Sequence, residues 1–163
     1  MKSNKSLTPE QALAKLQDIC SMSEICSTEA AEKLRRYNVS AADAERIIAR
    51  LIADRFIDDN RFIRAFVRQK YMYDRWGRLK IRQALRLKRF NPDEIETALN
   101  EEIDEEVYYE NLAAALRTKA RQLPEKLDRA DRDKLARFAA GRGYEPSLIF
   151  EMIPEEDFWR HDS

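Results

Sequence analysis

The chain has 163 residues, 37% of them charged and 44% apolar, with three glycines and five prolines. So high a charged fraction makes one deep globular core hard to assemble, and so few turn-forming residues argue against a sheet protein; helices joined by short connections remain. Thirty Lys and Arg balance thirty Asp and Glu, so net charge by itself requires no polyanionic partner.

In chain order, Thr8-Pro9-Glu10-Gln11 places a capping hydroxyl, a proline at the first helical position and a glutamine able to close a capping box. Leu13, Leu16 and Ile19 then share a face. A second helix is expected to open at Thr28 and run through Leu34. A third opens at Ser40, with Asp43 three residues on and Ile47, Ile48, Leu51 and Ile52 as its apolar stripe. Asp58 and Asp59 lead the next helix, which carries Phe62, Phe66 and Val67, runs to about Tyr73 and is broken by Trp76-Gly77. A helix with Leu79, Ile81, Leu85 and Leu87 follows, and Asn91-Pro92-Asp93-Glu94 caps another with Ile95 and Leu99. The last group starts near Asp104, with Tyr108, Leu112, Ala115 and Leu116, and ends before Pro124. Leu135 and Phe138 come next, with Gly141 and Gly143 as a stop. Glu145-Pro146 then starts a short helix with Leu148, Ile149 and Ile153.

These helices superpose as a repeat. Leu34, Leu85 and Ala139 correspond, as do Val39, Phe90 and Tyr144 in the turn that follows. Ser40, Asn91 and Glu145 open the next helix, and Ile48, Leu99 and Ile153 close its stripe. One unit alone would expose much of its apolar face, which is the physical reason to stack such units. The expected fold is all-α: three tandem three-helix repeats forming an elongated, curved solenoid-like body. Its expected parts are residues 1–57, a basic central unit at 58–103, a third repeat at 104–153 and a C-terminal tail at 154–163.

Catalytic machinery is not expected. His161 is the single histidine, and the three glycines cannot form a phosphate-binding loop. Cys20 and Cys26 fit neither a redox motif nor a zinc site. Asp58-Asp59 and Asp104-Glu105-Glu106 could be drawn as metal clusters, but carboxylates at helix starts are expected for capping and dipole reasons. No cofactor or metal is therefore expected. With neither an apolar span nor a signal-like N-terminus, a cytoplasmic monomer away from membranes is the expectation.

Charge distribution is more informative than its total. From Arg61 to Phe90 the bases are Arg61, Arg64, Arg68, Lys70, Arg75, Arg78, Lys80, Arg82, Arg86, Lys88 and Arg89, against Asp74 alone; Asn91 to Glu110 then carries nine acids and no base. Arg61, Arg64, Arg68 and Arg75 recur at helical spacing, and so do Arg78, Arg82, Arg86 and Arg89, so two basic stripes could form one surface with Tyr71, Tyr73 and Trp76 at its corner. Such a surface suits phosphates, and the aromatics could stack on an unpaired base. It also suits an acidic groove on a protein. The lesser alternative for the arginines is that they pair with the acids of the following segment or form a solvated face, whereas the aromatics read better as core. A further possibility is that the acidic segment covers the basic face until a partner arrives.

Phe56-Ile57-Asp58-Asp59-Asn60-Arg61-Phe62, Trp76-Gly77 with Ile81 and Leu85, Leu87-Lys88-Arg89-Phe90, and Ile95-Glu96-Thr97-Ala98-Leu99 together resemble the bacterial regulatory protein RecX family, from about Leu7 to Ile153. Arg89 stands where that family usually has glycine, and Ile63 where it usually has alanine. The resemblance implies tandem three-helix repeats that bind RecA recombinase filaments on single-stranded DNA. It further implies that they lie in the filament groove and suppress ATP hydrolysis, strand exchange and co-protease activity. It assigns no contact residues; the ten candidates Arg61, Arg64, Arg68, Lys70, Arg75, Arg78, Lys80, Arg82, Arg86 and Lys88 rest on charge. The competing readings are a helix-turn-helix-like protein that binds DNA without recombinase, and a scaffold with no nucleic-acid role.

Overall fold

The computed structural model describes residues 6–153; the tail expected at 154–163, with His161, lies outside them. The described chain is helical throughout, in the order α1 (Pro9–Met22), α2 (Ser27–Arg36), α3 (Ala41–Ala53), α4 (Asp59–Met72), α5 (Arg78–Leu87), α6 (Pro92–Glu102), α7 (Glu105–Ala120), α8 (Arg129–Gly141) and α9 (Pro146–Met152). The chain forms two compact units, one ending at Ile63 and the other beginning at Arg64.

Local chemistry accounts for most of the helix starts. Thr8 and Gln11 close a reciprocal capping box on α1, and the Ser40, Asn91 and Asp104 side chains each accept a backbone N–H at the head of α3, α6 and α7. The head of α2 is different. It starts at Ser27, one residue earlier than the sequence suggests, after Cys26, whose side chain makes no capping bond. Its donors are met from a distance: Ser27 N–H donates to Asp59 Oδ1 at 2.8 Å, and Ser27 Oγ donates to Asp59 Oδ2. Asp58 caps its own helix, accepting from Arg61 N–H at 3.0 Å. The Asp-Asp pair thus secures two helices.

In the first unit Ala12, Leu16, Ile25, Ala30, Leu34, Ile47, Leu51 and Ile57 form one buried cluster, with Leu13, Ile19, Val39, Ala44 and Ile48 packed around it. Burying each large aliphatic side chain contributes about 1.5–3 kcal/mol. Ile52 is 49% exposed and lies off the α3 stripe. In the second unit Ile81 and Leu85 of α5, Ile95 and Leu99 of α6, Tyr108, Leu112 and Leu116 of α7, and Leu135, Ala139, Tyr144 and Ile149 are buried. Leu79 and Leu87, expected on the α5 stripe, are exposed: about 100° per residue turns both away from the face that Ile81 and Leu85 share.

Backbone geometry carries the repeat further than side chains do. Asn38, Arg89 and Gly143, the residues just before Val39, Phe90 and Tyr144, all adopt left-handed φ, at 58°, 64° and 93°. Around them Val39 N–H donates to Leu34 O and Tyr144 N–H to Ala139 O, the reversal by which a helix satisfies its last carbonyls. Each three-helix unit therefore makes the same stop between its second and third helices. Arg89 keeps the left-handed turn although it is not glycine. Gly141, by contrast, is simply the last residue of α8, and Gly143 makes the stop.

Candidate functional site

Arg61, Arg64, Arg68 and Lys70 lie on α4, Arg75 in the corner that follows, Arg78, Lys80, Arg82 and Arg86 on α5, and Lys88 at its C-cap. Most of the arginines meet carboxylates. Within the first unit Arg61 pairs with Glu24 at 2.7 Å and also reaches the carbonyl oxygens of Arg55 and Phe56. In the second, Arg64 contacts Glu101 at 2.6 Å and Glu102 at 2.9 Å, and Arg68 contacts the other oxygen of Glu102 at 3.0 Å. Arg82 grips Glu96 with two nitrogens, the longer bond 3.2 Å. Much of the acidic segment thus faces the basic one. The Arg64 guanidinium, with help from Arg68, holds the Glu102 carboxyl below its ordinary range against a smaller opposing effect of burial.

Arg78 is the most structural of the ten. Its guanidinium stacks 4.1 Å from the Tyr108 ring centroid and pairs with Glu105 and, at 2.9 Å, with Glu145. Its backbone N–H donates to Tyr108 Oη at 3.0 Å, and that hydroxyl donates to Glu145. Burial foremost, then the Glu145 carboxylate, pushes the Tyr108 phenol upward; burial takes Tyr144 up to about 12. Neither tyrosine is available as an acid or base near neutral pH. They belong to a close junction in which Gly77 N–H donates to Arg142 O at 2.8 Å and Leu79 N–H to Gly143 O at 2.9 Å. Trp76-Gly77 is therefore more than a helix breaker: it docks the start of α5 against the turn between α8 and α9.

The remaining bases face outward or sit on aromatic rings. Lys80 Nζ lies 4.4 Å from the Trp76 centroid; Lys70 Nζ lies 4.5 Å from it and pairs with Asp74 at 2.9 Å. Arg75 holds a left-handed φ of 54°. Arg86 is exposed and takes part in none of the ion pairs among the described residues; the same is true of Arg89, just beyond the helix. Charge counting alone did not separate Arg78, held within the fold, from Arg86, which joins no ion pair among the described residues. The partners lie on other helices: Glu102 is 38 residues from Arg64 and Glu145 is 67 from Arg78. Exposed or half-exposed pairs of this kind contribute only about 0–1 kcal/mol each, so a polyanion could exchange for the carboxylates at small cost.

Among the described residues there is no group of three or more His, Cys, Asp or Glu placed to hold a metal ion, and no helix long and apolar enough to cross a membrane. Cys20 and Cys26 are unbridged thiols, Cys26 buried and Cys20 partly so, with burial foremost in raising the Cys20 thiol.

Comparison with known proteins places this geometry. Residues 58–99 match the second three-helix domain of RecX, and residues 106–153 match the third. Two curated relatives, each named Regulatory protein RecX, from Legionella pneumophila strain Corby and from Legionella pneumophila, are 28% identical over 134 residues, 81% of this chain and 85% of theirs. A crystal structure of regulatory protein RecX superposes with a TM-score of 0.77 at 26% identity, over 91% of this chain and 73% of the other. RecX from Lactobacillus salivarius gives 0.81 at 20% identity over 92% and 97%, a likeness of fold. With successive repeats matched in order and an all-helical fold shared with solved relatives, the chain belongs to the RecX family of regulatory proteins.

Proposed function

We propose that this chain binds RecA recombinase filaments on single-stranded DNA and inhibits their ATP hydrolysis and strand exchange, acting as a cytoplasmic monomer without catalysis of its own. The observation that carries the reading is the ordered match of two consecutive repeats to the second and third RecX domains. The physical chemistry agrees with it. A neutral chain with thirty bases and thirty acids is not drawn to bare DNA by net charge, whereas a face of weakly held arginines can re-pair with phosphates once other contacts have brought it there.

The test is ATP hydrolysis by the recombinase of the same organism on single-stranded DNA, with the parent chain and with an Arg86→Glu/Arg89→Glu variant. These two arginines are chosen because reversing Arg64 or Arg82 would also break ion pairs within the fold. The parent should suppress hydrolysis, and the variant should need at least a several-fold higher concentration for the same effect. Absence of suppression by the parent, together with salt-sensitive binding to DNA without recombinase, would replace this reading with the direct DNA-binding one.

A further inference from the structure

The corner between α4 and α5 separates three neighbouring aromatics. Tyr71 is buried in the core at 5% exposure, Tyr73 is 78% exposed, and Trp76 is half-buried. Only Trp76 is held in a defined setting at the surface. The ammonium groups of Lys70 and Lys80 lie 4.5 and 4.4 Å from its ring centroid, and Phe66 meets it edge-on at 6.5 Å and 76°. Its backbone is fixed from three sides: Trp76 N–H donates to Lys70 O at 2.9 Å, Tyr144 Oη donates to Arg75 O at 2.8 Å, and Gly77 N–H donates to Arg142 O at 2.8 Å. Arg75 holds a left-handed backbone that side chains other than glycine's seldom adopt.

An indole flanked by two cations complements a single-stranded nucleic acid, which offers the flat face of an unpaired base with a phosphate on either side. We propose that Trp76 is a stacking site for one unpaired base of single-stranded DNA, with Lys70 and Lys80 taking the adjoining phosphates. The inference deepens, and rests on, the reading of this chain as a regulator of filaments on single-stranded DNA. Stacking on a base exceeds an exposed cation–π contact, so a base can displace an ammonium from the ring. Each lysine has a flexible stem that lets its ammonium swing to a phosphate. The carboxylate at this corner, Asp74, now holds Lys70 at 2.9 Å; a phosphate would take its place.

The chain has two tryptophans, Trp76 and Trp159, so a Trp159→Phe chain reports from Trp76 alone. Its fluorescence is titrated with a thymidine oligonucleotide and with an abasic oligonucleotide of the same length, with binding followed separately by anisotropy. The expected result is quenching by the thymidine strand and none by the abasic strand at matched saturation. A Lys70→Gln/Lys80→Gln variant should bind at least several-fold more weakly, with a log–log salt slope smaller by about 1.4, at about 0.7 per phosphate contact. Equal fluorescence responses to the two saturating strands, or none to either, overturn the stacking site. Hydrolysis by recombinase filaments is measured on the same samples. Suppression without quenching sinks the site and leaves the filament reading standing, whereas quenching without suppression supports the site and sinks that reading.

Discussion

Replacing Gly77 by alanine tests the junction within the second unit most directly. A Cβ at this position would lie 2.2 Å from the Gly143 carbonyl carbon and 2.3 Å from both the Gly143 oxygen and the Tyr144 nitrogen. All three are backbone atoms, so no side-chain rotation can relieve the overlap, and the start of α5 must move by about 1 Å to reach ordinary contact. That displacement stretches the bonds from Gly77 N–H to Arg142 O and from Leu79 N–H to Gly143 O. Each of the two groups left unsatisfied costs about 1–3 kcal/mol, and overpacking adds about 1–3, so a loss of about 3–9 kcal/mol is expected. With a urea dependence of about 2 kcal/mol per molar, the midpoint falls by about 1.5–4.5 M. Gly141→Ala is the matched control, because nothing lies within 4 Å of its Cβ and its backbone is helical; it should gain about 0.5–1 kcal/mol. Urea melts by circular dichroism read both. A Gly77→Ala midpoint within about 0.5 M of the parent would refute the close approach from which this magnitude is worked.

Arg89→Gly should stabilise the chain by about 0.5–1 kcal/mol in the same melts, since relief of the left-handed turn exceeds the added freedom of the unfolded glycine. Asp59→Ala should destabilise by about 1–2 kcal/mol although Asp59 does not cap its own helix, and hydrogen exchange should rise at the head of α2, at Ser27 and its neighbours. Glu102, held low by Arg64 and then Arg68, contributes stability that is complete above the ordinary glutamate range and is lost as pH falls through its lower folded value. Acid titration of the parent should therefore show a loss below about pH 4.5 that Glu102→Gln removes. Glu101→Gln/Glu102→Gln removes the carboxylates that hold Arg64 and Arg68 here and should tighten binding to a single-stranded oligonucleotide; unchanged affinity would show that these carboxylates do not mask the arginines.

Legibility in the sequence follows the range of the interaction. Thr8, Ser40, Asn91 and Asp104 cap donors two or three residues away, so those helix starts can be read directly. The start of α2 was displaced by one residue because its cap, Asp59, lies 32 residues downstream. The repeat was visible through Leu34, Leu85 and Ala139, yet its most regular feature is the left-handed backbone at Asn38, Arg89 and Gly143, which three dissimilar side chains conceal. Leu79 and Leu87 look like core when apolar residues are counted and not when helical angle is followed. At the candidate site the basic block was evident, but whether an arginine is spent within the fold depends on which helix its glutamate comes from. Arg78, Arg82 and Arg86 look alike in spacing; the structure gives the first two to Glu145 and Glu96.

That difference bears on how a neutral protein can act on a polyanionic assembly. Were all thirty bases free, binding would be indiscriminate and any nucleic acid would serve. Here the bonds that join Arg64, Arg68 and Arg82 to their glutamates are individually weak, but a strand must break several together before its phosphates gain those arginines. Exposed Arg86 and Arg89 require no such exchange and can make first contact. On the proposed reading, a partner that first fixes the chain by other surfaces raises the local phosphate concentration enough to complete the exchange, whereas free DNA at physiological salt does not. Selectivity for the filament over bare strands then follows from the internal pairing itself, and its measure is the ratio of the two affinities in the parent chain against that in Glu101→Gln/Glu102→Gln. Neutralising the two glutamates should lower this ratio by strengthening the bare-strand side. A ratio that stays constant would mean that selectivity resides in protein contacts alone.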